Sequence, residues 1–294
     1  MEGVFQREAG SAPGGEPIGE GLKEHWDRHA PDWDRKYRAE HERAEHEKRI
    51  DDTAAWLRAM GLLGADSSVA DVGCGPGRFV AEFAKTAGYV VGLDISPKMA
   101  EYGARYCREA GLDNTRFYAA DFAEADLEAL GLAGKFDLAF SSITPAVSGE
   151  IGIEQLMRLS RAWCFNASFV YSDNPLHTEL MNTLFHRDPR RHKTNHSEWF
   201  HTLFEFLWQR GYYPITHYYT QVKAPVRRAD AETARQLTEY LLEDNEKNDE
   251  AVGKILKFLQ SKADRNGFFT EYSECRYGWL LWDVRERHER KTKA

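Results

Sequence analysis

The chain has 294 residues, 42% of them hydrophobic and 29% charged, and a formal net charge of -8. This composition excludes a disordered or fibrous protein, and the negative charge disfavours a protein that holds long nucleic acid by its phosphates. Four dispersed cysteines without a Cys-x-x-Cys pair indicate neither a zinc knuckle nor a disulfide framework. Because no apolar run reaches the ~20 residues of a membrane span, we expect a cytoplasmic protein with no membrane partner.

The first 60 residues predict a mobile segment followed by a helical cover. Residues 1–21 end in a Gly/Pro-rich stretch, which cannot bury enough apolar area to become ordered. Residues 22–60 carry apolar side chains at helical spacing, with an interruption at Pro31. We therefore predict two or three covering helices, and the mixed charges from Arg38 to Asp52 are typical of a solvated helix face.

From Ser68 onward, short apolar runs alternate with helical stretches. The runs predict strands at 68–72, 89–94, 115–119, 136–141 and 163–171. The intervening stretches predict helices at 78–87, 97–110, 123–130 and 151–159. This alternation is typical of an α/β fold with a parallel sheet covered by helices.

After the fifth strand the simple alternation ends. The sequence predicts an amphipathic helix over 197–210, a strand over 215–222, a polar helical stretch over 229–263 and a strand over 267–284. Because no helix follows that strand to make a further crossover, we expect it to lie antiparallel to its neighbours. Residues 285–294 form a basic tail that we expect to fray.

A glycine loop, Gly73-Cys74-Gly75-Pro76-Gly77, follows the first predicted strand and precedes a helix. Glycine permits positive φ and close backbone approach, and the N-terminus of the following helix offers N–H groups to a ligand. The loop therefore predicts a nucleotide-like cofactor. A dinucleotide fingerprint requires a glycine at position 78, where this chain has Arg78, and this disfavours a nicotinamide cofactor.

Two aspartates follow the next two predicted strands. Asp94 ends the second strand, where a carboxylate can accept hydrogen bonds from ribose hydroxyls, and Asp121 with Phe122 follows the third, where they can meet an adenine. Each aspartate alone could instead cap a helix. Because the carboxyl ends of adjacent parallel strands share one edge, these residues and the glycine loop predict a single ligand crevice.

Together, the segments D-V-G-C-G-P-G, G-L-D-I-S-P-K-M and A-A-D-F resemble the motifs of class I S-adenosylmethionine-dependent methyltransferases, over residues 68–171. The resemblance implies a Rossmann-like, mostly parallel seven-stranded sheet with an antiparallel last strand and helices on both faces. It also implies a methyltransferase domain at 61–284 and a helical insertion at 226–266 between the last two strands.

The resemblance implies S-adenosylmethionine as the cofactor and a set of residues that bind it. The methionine part would lie on Asp71, Gly73, Gly75 and Gly77, the ribose on Asp94, and the adenine on Asp121, Ile95, Met99 and the backbone or ring of Phe122. We also expect Ser141 to be one of the cofactor-binding residues. The segment H-W-D-R-H-A-P-D-W-D is similar to one that covers the cofactor in small-molecule members, so Trp33 and Tyr37 are lid candidates or aromatic residues packed on the sheet.

Methyl transfer is an in-line displacement, so a base is required only if the nucleophile carries a proton. Tyr171, Asp173 and His177 follow the fifth predicted strand, and His177 is our first candidate for a general base, or else a surface loop residue. Ser141, Ser142 and Thr144 could orient a substrate or satisfy loop backbone groups. In the family's nucleic-acid branch, the fourth strand ends in an acidic residue or Asn followed by Pro-Pro and an aromatic residue. This chain lacks that motif, which disfavours methylation of a nucleic-acid base.

Six of the 11 histidines lie between His177 and His217, together with a basic run at 187–193. His192 and His196 have the i,i+4 spacing of a metal pair, but Lys193 stands where the metalloprotease motif has its Glu, so we predict no bound metal. The segment could attract an anionic small substrate or form a solvated loop.

The sequence therefore predicts a methyltransferase with a small-molecule acceptor, no nucleic-acid partner and possible homodimerisation. Two alternatives stay open. One is a methyltransferase acting on a protein or RNA side group that docks on the basic run, and the other is a non-catalytic regulatory protein that binds the cofactor. The sequence does not define the acceptor atom.

Overall fold

The structure is a computed structural model that describes residues 21–38, 40–187 and 197–288, with the side chains of 36–38, 40–47 and 197 left out. The predicted mobile segment (1–20), part of the histidine-rich segment (188–196) and most of the basic tail (289–294) lie outside the described residues.

The structure describes the following helices, given in chain order. They are α1 (Leu22–Arg38), α2 (Glu40–Ala59), α3 (Arg78–Ala84), α4 (Pro97–Glu109), α5 (Gly149–Leu159), α6 (Pro175–Phe185), α7 (Ser197–Gln209), α8 (Ala231–Leu241) and α9 (Asp249–Lys262). Single 3-10 turns occupy Pro145–Val147 and Asp244–Glu246. Among the helices described, none combines the length and apolar character needed to cross a membrane.

The strands form one large and one small sheet. They are β1 (Ser68–Val72), β2 (Tyr89–Asp94), β3 (Thr115–Ala119), β4 (Phe136–Ser142), β5 (Ser160–Asp173), β6 (Ile215–Lys223), β7 (Val226–Arg228), β8 (Phe268–Thr270) and β9 (Ser273–Asp283). The seven-stranded sheet has the order β3-β2-β1-β4-β5-β9-β6, and β7 pairs antiparallel with β8.

The sheet confirms the predicted fold class. Strand β1 pairs in parallel with β2 and β4, β2 with β3, and β4 with β5, whereas the last strand, β9, is antiparallel. The segment from β7 to β8, which contains α8 and α9, lies between β6 and β9 in the sequence, where the helical insertion was predicted. The parallel pairings place the ends of β1, β2 and β4 at one edge of the sheet.

The predicted break at Pro31 was wrong, because α1 continues through this residue. Proline removes one backbone donor from the helix, but α1 is tied down on both sides of it. Asp27 Oδ1 accepts a hydrogen bond from Ser96 Oγ at 2.5 Å, and Asp34 Oδ2 accepts one from Arg105 at 3.0 Å. These contacts with α4 and its N-cap stabilise the helix across the proline.

Two other predicted helices also differ from the elements found in the structure. Residues 123–130 form turns, because the carboxylates of Asp121 and Asp126 accept the backbone N–H groups of Ala123 and Ala129 and so compete with a helix. The polar stretch 229–263 is divided into α8 and α9. The division occurs where Asn248 caps α9 by accepting the N–H of Ala251 at 2.9 Å.

The described chain divides into two compact units. The first consists of the residues up to Ser168, His201–His217 and the residues from Trp279. Its core contains stacked rings of Phe140 and Phe165, with centroids 4.8 Å apart. Trp56 of α2 and Trp279 of β9 pack in the same region, with centroids 5.4 Å apart.

The second unit consists of Phe169–Phe200 and Tyr218–Gly278. It has a hydrophobic core of its own, in which α6 packs with α8, α9 and β8. The core includes Leu180, Leu237, Ile255, Leu259 and Phe269, each at most 5% exposed. The inserted helices are therefore held by apolar burial within this unit.

Candidate active site

The glycine loop after β1 uses the left-handed backbone region three times. Gly73, Gly75 and Gly77 have φ values of 69°, 51° and 77°, which disfavour any other residue. A Cβ atom on Gly73 would lie 2.0 Å from Oγ1 of Thr144, whereas one on Gly75 would meet nothing within 4 Å. Packing therefore requires glycine at 73, and Gly75 borders open space.

Asp94 connects the end of β2 to this loop. Its Oδ2 accepts the backbone N–H of Gly75 at 2.8 Å, and its Oδ1 accepts that of Ser96 at 2.9 Å. Burial raises the pKa of Asp94, although these two hydrogen bonds act in the opposite direction. Each carboxylate oxygen keeps a further lone pair, so Asp94 can still accept hydrogen bonds from hydroxyl groups.

Asp71, within β1, is a buried acid with an unsatisfied oxygen. Its side chain is 2% exposed, and Oδ2 has no hydrogen-bond partner among the described residues. Burial raises the pKa of Asp71 well above its ordinary value, the charge of Asp94 raises it further, and Arg49 opposes both. A buried carboxylate without a partner is costly, so this position suits a cationic ligand group.

Arg49 of α2 is a residue of this region that the sequence analysis missed. Its Nη1 donates to Oγ of Ser142 at 2.9 Å, its guanidinium carbon lies 5.2 Å from the ring centroid of Phe79, and its charge lowers the pKa of Asp71. Arg49 belongs to the segment interpreted as a solvated face. Thr53, one turn later, is 2% exposed and shows that this side of α2 faces inward, but only the fold reveals that burial.

The residues predicted around adenine differ in exposure. Asp121 is exposed, and its Oδ1 accepts the N–H of Ala123 at 3.1 Å; Ile95 is half-buried. Met99 and Phe122 are each 3% exposed. Ile95 and Asp121 are thus open to a ligand, whereas the Phe122 ring belongs to the core and only its backbone suits the predicted contact.

Ser141 lies in the interior of the sheet. Its hydroxyl donates to the backbone oxygen of Phe165 at 3.2 Å and accepts from Asn166 Nδ2 at 2.9 Å, and the residue is 0% exposed. Both hydrogen-bonding roles of the hydroxyl are therefore occupied. This placement supports a structural role and gives no support to the predicted contact with a cofactor.

The two lid candidates lie on α1. Trp33 is half-buried and lines a surface hollow together with His29, Asp32 and Arg35. The side chain of Tyr37 lies outside the described part of the chain. The lid function of both residues stays a prediction.

The three candidate catalytic residues belong to the second unit. Strand β5 extends to Asp173, so Tyr171 and Asp173 lie at the end of a strand. His177 lies in the first turn of α6, and its predicted position in a loop was wrong. The helix begins there because Asn174 Oδ1 accepts the N–H of His177 at 3.0 Å and Pro175 occupies the first helical position.

The imidazole of His177 contacts a carboxylate that the sequence analysis did not identify. Nε2 lies 2.9 Å from Oε1 of Glu271, which also accepts from Asn174 Nδ2 at 2.9 Å, while Oε2 accepts from Arg227 Nη1 at 2.7 Å. Burial alone would raise the pKa of Glu271, but its close contact with His177 and its hydrogen bond from Arg227 lower it to about 2. The β7–β8 pairing brings Arg227 close to this carboxylate, and no local sequence pattern predicts this contact.

The remaining members of the histidine-rich segment have separate environments. His186 ends α6 in the left-handed conformation, and exposed His217 stacks on Trp56 at a centroid distance of 5.7 Å. His192 and His196 lie outside the described residues. In the ranges that the structure describes, no group of three or more His, Cys, Asp or Glu side chains is arranged to hold a metal ion.

Residues 69–161 match the family model described as a methyltransferase domain. The chain is also similar to a 23S rRNA (uracil(1939)-C(5))-methyltransferase RlmD from Aeromonas hydrophila, with 31% identity over 117 residues, 39% of this chain and 25% of that protein. The enzyme of the same name from Shewanella amazonensis is 40% identical over 73 residues, 25% of this chain and 16% of that protein. The chain thus spans about a quarter or less of the length of these relatives.

A solved structure shows a similar fold. The magnesium protoporphyrin IX methyltransferase (ChlM) from Synechocystis PCC 6803 with bound SAH is 17% identical, with 87% of this chain and 97% of that chain covered and a TM-score of 0.51. This fold, the sheet order and the match to the family model agree with the position of the glycine loop. The chain therefore contains a methyltransferase domain over residues 69–161, and its fold is similar to that of this solved methyltransferase.

Proposed function

We propose that this protein transfers a methyl group from S-adenosylmethionine to a small-molecule acceptor. The proposal has a donor half, the binding of S-adenosylmethionine, and an acceptor half. The donor half is supported above all by the hydrogen bond from Gly75 to Asp94, which holds a carboxylate beside a glycine that borders open space. When bound, the cofactor supplies a methyl group that leaves a positively charged sulfur as the acceptor atom attacks in line. The protein's contribution is to bind and orient both partners and to exclude water.

The residues at the edge of the sheet fit this cofactor. The unpartnered Oδ2 of Asp71 suits an ammonium group, and the neighbouring guanidinium of Arg49 suits a carboxylate. The open space at Gly75 allows close approach of a ligand to the backbone. The remaining lone pairs of Asp94 suit ribose hydroxyls, and the exposed carboxylate of Asp121 suits the amino group of adenine.

For the acceptor half, we propose His177 as the general base and Tyr171 and Asp173 as secondary candidates. A base is useful when the acceptor loses a proton, and imidazole is suited to that role near neutral pH. The contact of His177 with Glu271 supports this proposal, because a base must be held in one orientation.

An RNA acceptor is the second candidate, and the name of the similar proteins, 23S rRNA (uracil(1939)-C(5))-methyltransferase, favours it. Three observations support a small molecule instead. The net charge is -8, Arg187 of the basic run pairs with Glu246 at 2.8 Å, and Arg285 of the tail pairs with Asp283. The positive charges available to RNA phosphates are thereby reduced.

Calorimetric titration with S-adenosylmethionine, S-adenosylhomocysteine and NAD tests the donor half. We expect the first two to bind and NAD not to bind. Transfer of a labelled methyl group is then measured separately into the low-molecular-mass, RNA and protein fractions of an extract. Label in the low-molecular-mass fraction supports the proposal, and label in RNA or protein overturns it in favour of the alternatives. Saturable binding with no transfer into any fraction indicates the regulatory protein.

Two further expectations belong to this proposal. All four cysteines are unpaired by disulfides, and Cys74, Cys107 and Cys164 are buried, which supports a reducing cytoplasmic location. Homodimerisation stays a prediction, and sedimentation velocity over a range of protein concentrations tests it.

A further inference from the structure

Glu271 is a buried carboxylate held on both of its oxygens. Oε1 accepts from Asn174 Nδ2 and lies 2.9 Å from His177 Nε2, while Oε2 accepts from Arg227 Nη1 at 2.7 Å. Arg227 is fixed in turn by donating to Oε1 of Gln236 at 2.7 Å. Glu271 is only 8% exposed, so the carboxylate cannot rotate away from His177 without breaking these bonds.

The contact with Glu271 restricts which nitrogen of His177 carries a proton. Nε2 is buried, and although it lies at ion-pair distance from Oε1, it makes no well-aligned hydrogen bond to any described residue. A lone pair on Nε2 would lie close to a negatively charged carboxylate oxygen 2.9 Å away, which is repulsive even though the two atoms are not aligned for a hydrogen bond. An N–H on Nε2 would be attracted instead, so the carboxylate favours the tautomer with the proton on Nε2.

Asn174 fixes the same histidine through its backbone. Its Nδ2 donates to Glu271, while its Oδ1 accepts the N–H of His177 at 3.0 Å. One side chain therefore positions both the carboxylate and the backbone of the residue that the carboxylate contacts. Such paired support is what keeps a base in a single orientation.

We propose that Glu271 is a positioning residue that holds His177 as the Nε2–H tautomer, so that Nδ1 carries the lone pair that accepts a proton from an acceptor hydroxyl. The inference rests on the proposed function, in which His177 is the base. Among the described residues Nδ1 has no hydrogen-bond partner, so its lone pair is available.

The surroundings of His177 favour an acceptor that arrives neutral. The ring of Tyr240 lies 5.7 Å from the imidazole, and burial and the charges of Cys275 and Glu271 raise the pKa of this phenol. The negative charge of Glu271 disfavours an incoming anion. In the proposed step the O–H bond of the acceptor breaks, its electron pair stays on oxygen, and the proton binds Nδ1. The resulting imidazolium cation is stabilised by Glu271 and returns the proton to water.

The test is the tautomer of His177 in the protein without cofactor or acceptor. Long-range proton–nitrogen NMR correlations of imidazole-labelled protein distinguish an N–H nitrogen from one with a lone pair, at a pH where histidine is neutral. A His177→Gln spectrum assigns the signals. We expect the proton on Nε2 and the lone pair on Nδ1. The opposite tautomer in the native protein overturns the inference, and this measurement requires no variant at position 271.

Glu271→Gln provides the second test. Arg227 cannot accept a hydrogen bond, so the amide oxygen must face Arg227 and the amide NH₂ must face His177. We expect the imidazole to switch to the Nδ1–H tautomer, which removes the lone pair from Nδ1. With an identified acceptor, kcat should fall about 10²- to 10⁴-fold, the range for loss of general-base catalysis, with little change in KM.

Glu246→Gln is the matched control. Glu246 is a carboxylate of the same unit that pairs with Arg187 at 2.8 Å and contacts no histidine in the described structure. Its replacement should leave the His177 tautomer and kcat unchanged. A tautomer that stays the same in Glu271→Gln, or that changes equally in Glu246→Gln, counts against the inference.

Failure of this inference can be separated from failure of the proposed function. If the protein binds S-adenosylmethionine and methylates a small molecule while His177 has the wrong tautomer, only the role of Glu271 is lost. If the tautomer is as expected but calorimetry detects no cofactor binding, the proposed function fails.

Discussion

Asp94 accepts a hydrogen bond from the backbone N–H of Gly75 at 2.8 Å, so the acid at the end of β2 also fixes the loop after β1. Asp94→Ala should therefore lose the predicted ribose contacts and loosen the glycine loop. Hydrogen bonds to charged groups contribute about 1.5–3 kcal/mol, so calorimetry should show S-adenosylhomocysteine binding roughly 10- to 100-fold more weakly.

Asp113→Ala is the control for this prediction. Asp113 is an exposed aspartate in the loop before β3, at the opposite edge of the sheet from the carboxyl ends of the strands. Its replacement should leave the dissociation constant unchanged. Equal affinities for the native protein and Asp94→Ala would show that the ribose is not bound by Asp94.

Gly75 and Gly131 form a matched pair of glycines. Both have positive φ, 51° and 68°, and a Cβ atom on either would meet nothing within 4 Å. Alanine at either position should cost about 1 kcal/mol of stability through backbone strain. Only Gly75→Ala should also weaken cofactor binding, because only this Cβ enters the predicted ligand space. Thermal unfolding and calorimetry of both variants test this, and equal cofactor affinities would exclude a close approach at Gly75.

Asp71 is predicted to lower stability in the protein without cofactor. Because burial raises its pKa, its folded state retains a proton that the unfolded state has lost, and stability falls as pH rises from the ordinary value through the raised one. Asp71→Asn removes this ionisation, so the apoprotein should melt at a higher temperature near neutral pH. Cofactor affinity should fall, because an ammonium group loses its carboxylate. A lower melting temperature combined with unchanged affinity would contradict both expectations.

Glu271 is predicted to stabilise the folded protein when it is ionised, whereas ionisation of Asp71 destabilises it. Its pKa is lowered from 4.5 to about 2, so its contribution is present above the unfolded value and is lost as pH falls through that interval. At 1.36 kcal/mol per pKa unit, the contribution is about 3 kcal/mol at neutral pH. Urea unfolding of Glu271→Gln should show this loss at pH ~7 and a smaller difference near pH ~2. A constant difference at both pH values would indicate lost packing instead.

The bounds of the strands that lead to the predicted cofactor-binding residues were predicted to the residue. The bounds of β1, β2 and β3 agree with the sequence analysis because each is a short run rich in β-branched, aromatic or apolar residues that ends at a glycine, an acid or a turn. The positions of Gly75, Asp94 and Asp121 followed directly from those bounds. This part of the site depends on local pattern alone.

Arg49, Arg227 and Glu271 could not be found in the same way. Arg49 lies in a run of mixed charges, and its neighbours Asp71 and Ser142 are brought to it by the fold. Glu271 contacts His177 and Arg227 across distant parts of the chain. The predicted helix at 123–130 failed because two aspartates satisfy backbone N–H groups locally, an effect that the hydrophobic pattern does not report.

The end of β9 has a consequence for synthesis on the ribosome. Trp279, Leu280, Leu281 and Trp282 are each at most 2% exposed, and Trp279 packs on Trp56 and Phe165 of the first unit. All the predicted donor-binding residues are translated long before this strand, whereas the second unit completes its own core first. We expect the nascent donor-binding region to stay incompletely packed, and open to chaperones, until the last aromatic strand leaves the exit tunnel.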